Sequence, residues 1–328
     1  MPPRGAYSLP GSGIRTIRSS GCAKLEPLRS NSHFQAVFDS IADRPTMKRE
    51  IMATGLEVPE GPTVLPDGRI AFVQQVLGMV SVFDGTRVSP ISVGPGAPNS
   101  VTFGPDGFLY AAQNGGVVDD WRAEQPAVPA IERISLEGEI STVTTEIGGV
   151  RLRAPNDLVF GPDRRLYLTD PSEPYDPNDR HAINRLFAWD EDGGDMLIEL
   201  PPSYVNGLAF TPDGGLVWVE SYSRDVCILE GGVRIRLCTL PENHVPDGLA
   251  IAADGRLFIT TSSSHGLSLL SPTGEMLDHL YLDDQALTTN CCFVGSDLWV
   301  TDFGVGWQAG NAKGRLWRVE TDAVGRGN

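Results

Sequence analysis

Six positions in this chain carry a side-chain oxygen in one register: Glu60, Asn99, Asn156, Asn206, Asp247 and Asn290. Each lies seven residues before a turn residue, at Asp67, Asp106, Asp163, Asp213, Asp254 and Asp297. If acidic and amide residues fill roughly a fifth of an ordinary chain, six such matches arise by chance on the order of once in 10⁴. Asn or Asp at the start of a strand also closes a turn on its own backbone, which accounts for single copies of Asn-Gly or Asp-Gly. It does not account for Glu60, followed by Gly-Pro, nor for two converging carboxylates, whose repulsion a bound cation relieves. Two carboxylates with neutral amides, and no nearby Cys or clustered His, suit Ca²⁺. Mg²⁺ and Mn²⁺ are alternatives, as is Zn²⁺, although zinc prefers nitrogen and sulfur.

The elements that would hold such a ring follow from the repeat. Six segments begin at these residues: Glu60 to Gln74, Asn99 to Gln113, Asn156 to Asp170, Asn206 to Glu220, Asp247 to Thr261 and Asn290 to Asp302. Each reads as strand, tight turn, strand. The turn residues are 39, 57, 50, 41 and 43 apart. Period-2 alternation with Gly/Asp turns on a unit of roughly 40 to 50 residues predicts an all-β fold, a six-bladed β-propeller with four-stranded blades. The sixth repeat has room for one more strand, Gly314 to Val319. Lys48 to Thr54 is expected to supply its fourth, so that N- and C-terminal strands pair in the last blade and leave no open edge. The first strand of a blade lines the central channel, which places the six oxygens at one mouth.

The second strands end at Gln74, Gln113, Asp170, Glu220, Thr261 and Asp302. Asp170 and Glu220 are expected to orient ligand amides, although strand ends meeting solvent are polar for no special reason. Trp121, Tyr175, Tyr222, Phe303 and Trp307 could wall a pocket or pack the blades. Of the histidines at 33, 181, 244, 265 and 279, His265 alone is placed near the mouth.

The 42 acidic residues against 26 basic ones leave a net charge of −16. That argues against nucleic acid and anionic membrane as partners. No apolar run reaches the ~18 residues of a transmembrane span. Five cysteines, odd in number and without C-x-x-C spacing, argue against a disulfide framework and point to a reducing, cytoplasmic compartment. Residues 1–49 carry eight Lys/Arg and three Asp/Glu. Residues 1–46 therefore read as a disordered basic leader, a transit-like peptide or an over-extended start before Met47. The propeller is assigned to 47–322 and a disordered tail to 323–328.

The segments EGP at Glu60, PND at Asn156 with TDP at Asp170, NG at Asn206 with TPDG after it, PDGLA at Asp247 and TTNCCF at Asn290 resemble the SMP-30/gluconolactonase/LRE-like hydrolases. The similarity is to the gluconolactonase branch more than to regucalcin. It implies one divalent ion ligated by Glu60, Asn156, Asn206 and Asp247, the same four positions as in the ring. Asn99, Asn290, Arg153, Asp170, Glu220, Trp121, Tyr222, His265 and Trp307 are then assigned to substrate or supporting contacts. The insertion Gly115 to Ala130 departs from the family pattern and is expected to carry Trp121 over the mouth.

The expected activity is metal-dependent opening of a lactone, with Asp247, or else Glu60, as general base. The partner would be a small-molecule lactone or ester, and the protein a monomer or homodimer. Alternatives are an organophosphorus or linear ester hydrolase, a strictosidine-synthase-like condensing enzyme, and a non-catalytic propeller scaffold.

Overall fold

A computed structural model describes residues 47–325. Asp67, Asp106, Asp163 and Asp254 each accept a hydrogen bond from the backbone N–H two residues on, at 3.1, 3.3, 3.1 and 3.1 Å. This closes the turn between a blade's first two strands. The residue after the turn Asp needs positive φ, which glycine adopts freely at Gly68 and Gly107. In the third copy Arg164 takes it, at φ 69.

Six four-stranded antiparallel sheets result. Blade 1 runs Pro59–Val64, Ile70–Gln74, Met79–Phe83 and Val88–Val93, and blade 2 runs Pro98–Phe103, Leu109–Gln113, Ala130–Ile134 and Ile140–Thr144. Blade 3 comprises Leu158–Phe160, Leu166–Asp170, Asn184–Asp190 and Gly193–Leu200, and blade 4 Val205–Phe210, Leu216–Glu220, Asp225–Glu230 and Val233–Thr239. Blade 5 comprises Pro246–Ile251, Leu257–Thr261, Gly266–Leu270 and Met276–Tyr281. Blade 6 has Thr288–Val294, Asp297–Asp302 and Gly314–Glu320, and its outermost strand is Arg49–Leu56. That strand pairs antiparallel with Gly314–Glu320, Ile51 opposite Trp317, and so closes the ring. It lies one or two residues beyond the expected Lys48 to Thr54.

Apolar cores lie between consecutive blades rather than within them. Phe258 packs with Leu298 and Trp317 across blades 5 and 6, and Phe72 and Phe83 pack with Trp299 and Leu316 across blades 1 and 6. Leu186 meets Trp218 and Cys227 between blades 3 and 4. Each large side chain buried in this way contributes about 1.5–3 kcal/mol. Nearer the axis, hydroxyls bridge the inner strands. Ser100 Oγ donates to the Asn156 carbonyl at 2.7 Å, and Ser221 Oγ to that of Pro246 at 2.7 Å. Thr260 Oγ1 donates to Thr289 O at 2.6 Å, and Thr289 Oγ1 to Pro59 O at 3.1 Å.

Two expectations about the chain ends meet different outcomes. Residues 1–46 lie outside the described residues. The end of the domain at 322 is corrected: Ala323 is buried, Val324 O accepts from Ala253 N at 2.8 Å, and Gly325 N donates to Gly295 O at 2.7 Å. These backbone bonds extend the packed domain to at least Gly325. Among the described residues no helix is long and apolar enough to cross a membrane.

Where the residue after the register position is glycine, an added Cβ would run into the next inner strand. A Cβ on Gly248 would collide with the backbone and side chain of Asn290 in the next blade, and its φ is not left-handed. Gly248→Ala is therefore expected to act by steric clash alone and to cost at least the ~1–3 kcal/mol typical of overpacking. Gly232→Ala, in open space but at positive φ, is expected to cost only about 1 kcal/mol. Thermal melts of the two variants check this, and equal melting temperatures would count against it.

Candidate active site

Five register residues sit where their strand pair slips out of register. The irregularities fall between Glu60 and Thr63, Pro98 and Ser100, Val205 and Leu208, Pro246 and Leu249, and Thr288 and Cys291. In blade 3 the ladder begins only at Leu158, two residues past Asn156. A bulge breaks the in-out alternation and re-aims a side chain, here toward the channel. Threonines of the second strand satisfy backbone donors that the slip frees. Asp157 N donates to Thr169 Oγ1 at 3.1 Å, Gly248 N to Thr260 Oγ1 at 2.7 Å, and Asn290 N to Thr301 Oγ1 at 3.1 Å.

Glu60, Asn99, Asn156, Asn206 and Asp247 come together around a cavity of about 360 Å³ at one mouth. Asn290, the sixth, lies deeper and lines a separate apolar funnel of about 960 Å³, together with Asp157. Its Nδ2 donates to Asp157 Oδ2 at 2.9 Å.

Buried Glu60 and Asp157 and half-buried Asp247 form an acidic group. Burial, followed by the charges of Asp247 and Asp157, raises Glu60 well above the usual carboxylate range, against the Gly61 N–H and Asn290. Burial and the Asp157 charge push Asp247 up to about 8, with Asn206 opposing. Burial pushes Asp157 up to about 6, and hydrogen bonds from Asn290 and Ser100 oppose it. Among the described residues no Lys or Arg forms an ion pair with any of the three. Asn156 Oδ1, buried beside them, has no hydrogen-bond partner. Asn206 Nδ2 is held by Ser221 Oγ at 3.2 Å.

Acceptors facing acceptors leave a deficit of positive charge, which a hard cation fits. Among the described residues no group of three or more His, Cys, Asp and Glu is arranged to hold a metal. The available donor set is therefore mixed, carboxylates with amide oxygens.

Arg153 and Trp307 line the cavity, as do Tyr175 and Phe303. Asp170, Glu220, His265, Tyr222 and Trp121 do not line it. Asp170, fully buried, accepts from the backbone N–H groups of Arg153, Ala154 and Ser172 at 2.9, 3.0 and 2.7 Å. It therefore holds the segment leading to Asn156 rather than the Asn156 amide. Glu220 is bound by Arg234 at 2.7 and 2.9 Å and by Trp218 Nε1 at 3.1 Å, within its own blade. Asp302 likewise accepts from the backbone of Leu287 and Gly304. The outer tier thus ties down the loops feeding the inner strands.

His265 turns its Nδ1 to the Ala286 carbonyl at 2.8 Å and does not line the cavity. Tyr222 is buried, and its hydroxyl accepts from Asp176 N at 2.9 Å, anchoring the loop that carries Tyr175. Trp121 is packed with Val118 on Val58 and Ala97, so the inserted hairpin presents Val117, Val118 and Asp119 to the cavity instead.

Several lining residues escaped the sequence reading. Gln75, buried, donates Nε2 to Asn99 Oδ1 at 3.1 Å. Asn114 and Tyr204 also line the cavity. Asp157 had a readable signal. The residue after the register position is Gly61, Ser100, Gly207, Gly248 or Cys291 in the other copies, and only here is it charged.

A closed six-bladed propeller with carboxylates and amides gathered at one mouth of its channel defines the class. Residues 58–304 match the SMP-30/Gluconolactonase/LRE-like region, and the chain belongs to that family. A gluconolactonase of Zymomonas mobilis is 28% identical over 299 residues, 79% of each chain. Two solved structures share the fold. A gluconolactonase of Xanthomonas campestris superposes with a TM-score of 0.66 at 21% identity, covering 84% of this chain and 89% of its own. A calcium-binding regucalcin of Agrobacterium tumefaciens superposes with a TM-score of 0.68 at 15% identity, covering 85% and 96%.

Without divalent cations, the raised carboxyls bind protons more tightly in the folded than in the unfolded chain. Stability should then fall as pH rises from the ordinary 3.8 toward about 8. Melting in chelator at about pH 5 and about pH 8 is expected to show the lower midpoint at pH 8. Millimolar Ca²⁺ should raise the midpoint again, adding ~2.7 kcal/mol of stability if calcium stands at a hundred times its Kd. Equal midpoints in chelator would contradict this.

Proposed function

We propose that the protein is a metal-dependent hydrolase that opens a lactone ring. The observation that carries this reading is the convergence of buried Glu60 and half-buried Asp247 with the unpartnered Asn156 Oδ1 on a cavity large enough for a small cyclic ester. Family membership and the gluconolactonase relative support it.

Glu60, Asn156, Asn206 and Asp247 would hold a divalent cation, Ca²⁺ by their oxygen chemistry. Bound there, it would supply Lewis-acid polarisation of the ester carbonyl. Asp247 is the base: it takes a proton from the water that attacks the carbonyl carbon, and passes it to the ring oxygen as the C–O bond breaks. The product is the open-chain hydroxy acid. Glu60 is the second candidate for this role. Gln75 and Asn99, joined side chain to side chain, and Arg153 offer the cavity's polar wall to substrate oxygens. Tyr175 and Tyr204, packed edge to face with ring centroids 5.0 Å apart, offer an aromatic one.

A pH-indicator assay over sugar, aliphatic and aromatic lactones tests the reading, with a phosphotriester run alongside. Turnover of at least one lactone is expected, abolished by chelation and restored by Ca²⁺. With metal still bound, Asp247→Asn is expected to lose roughly 10²–10⁴ in kcat. No lactone turnover with Ca²⁺, Mg²⁺, Mn²⁺ or Zn²⁺ would reject the function, and a fully active Asp247→Asn would reject the base.

A further inference from the structure

Resting on the hydrolase reading, we propose that Asp119, at the tip of the inserted hairpin, is a specificity residue that favours neutral lactones over anionic ones and speeds departure of the carboxylate product. The hairpin pairs Val117–Val118 with Trp121–Arg122. It is held firmly. Val118 and Trp121 pack on Val58 and Ala97, Asn114 Oδ1 accepts from Gly116 N and Val117 N at 2.8 and 3.2 Å, and Ala123 N donates to Gly116 O at 2.9 Å. The tip is therefore fixed in place over the cavity.

Asp119 lies in the left-handed region, at φ 46. Outside glycine, Asn and Asp are the residues that tolerate this region best. Asp119 lines the cavity, and among the described residues its side chain forms no ion pair. It lies within Coulombic reach of Asp247, Tyr175 and Tyr204.

The charges around the cavity are unbalanced. Glu60, Asp119, Glu173 and Asp247 line it against a single guanidinium, Arg153. A doubly charged cation would offset Glu60 and Asp247, and Arg153 one more, leaving one net negative charge. Glu173 accepts backbone hydrogen bonds from His181 and Ala182, the latter at 3.0 Å, so its charge is partly shared with its own loop. Asp119 is the least compensated. Ring opening converts a neutral ester into an acid that is ionised at neutral pH. The same field that admits the substrate therefore opposes the product.

The test compares wild type with Asp119→Asn, which suits the left-handed backbone, and Asp119→Lys, which inverts the charge. A neutral aldono-1,5-lactone and its 6-phosphate are assayed with the Ca²⁺-loaded protein at low salt, and binding of the aldonate anion is measured by calorimetry. Asp119→Asn is expected to lower the kcat/KM ratio of neutral to phosphorylated lactone roughly fivefold and to tighten aldonate binding by a similar factor, the scale of one unit charge across a wet cavity. Asp119→Lys should go further, and about 1 M salt should erase the differences. Neutral-lactone turnover with the ratio and aldonate affinity unmoved in both variants rejects the role of Asp119 alone. Wild type opening no lactone, in this pair or among the sugar, aliphatic and aromatic lactones above, rejects the hydrolase reading itself.

Discussion

Three carboxylates, buried Glu60 and Asp157 and half-buried Asp247, lie within Coulombic reach of one another, and among the described residues no cationic side chain pairs them. Left to itself such a group drives its members apart or takes up protons. The blades hold it in place. Strand bulges aim the side chains inward, threonine hydroxyls satisfy donors that the bulges free, and inter-blade cores on every side resist any widening of the ring. The repulsion is local, whereas the packing that opposes it is spread over the whole circumference.

The division of labour runs along each blade. The inner strand begins at or near a register residue, and the second strand ends at a polar residue tied to neighbouring protein groups, backbone in blades 3 and 6 and the Arg234 and Trp218 side chains in blade 4. Asp170 and Asp302 use their carboxylates to hold the loops leading to Asn156 and Asn290. Loops between the second and third strands then dress the mouth: the hairpin with Asp119 on blade 2 and the Tyr175 segment on blade 3. Changing what enters the cavity thus requires no change in the ring beneath it.

Most of the fold was legible because its cause is periodic. Turn aspartates at near-regular spacing, alternation on either side, and a sixth repeat one strand short were enough to count blades and to close the ring with a strand near residue 50. Five of the six register positions were legible at the mouth for the same reason, whereas Asn290 turns to Asp157 and lines the other funnel. What stayed hidden depends on geometry that no period encodes. Asp170 and Glu220 look like site residues until their backbone and arginine partners are seen. Trp121 falls in the inserted segment as expected, but its ring turns down onto Val58 and Ala97 and leaves Asp119 exposed in its place. Gln75 and Tyr204 belong to connections whose paths only the folded chain reveals. Asp157 was hidden by its neighbour, because Asn156 already filled the register.

The pairing of Arg49–Leu56 with Gly314–Glu320 has a consequence for how the molecule comes into being. Five blades are built from neighbours along the chain, but the sixth joins segments more than two hundred and fifty residues apart. During synthesis the earliest of these strands must wait, its edge unpaired, until nearly everything else has emerged. Sealing the annulus is then a late encounter between distant partners, and in that interval the waiting edge is open to the wrong neighbour.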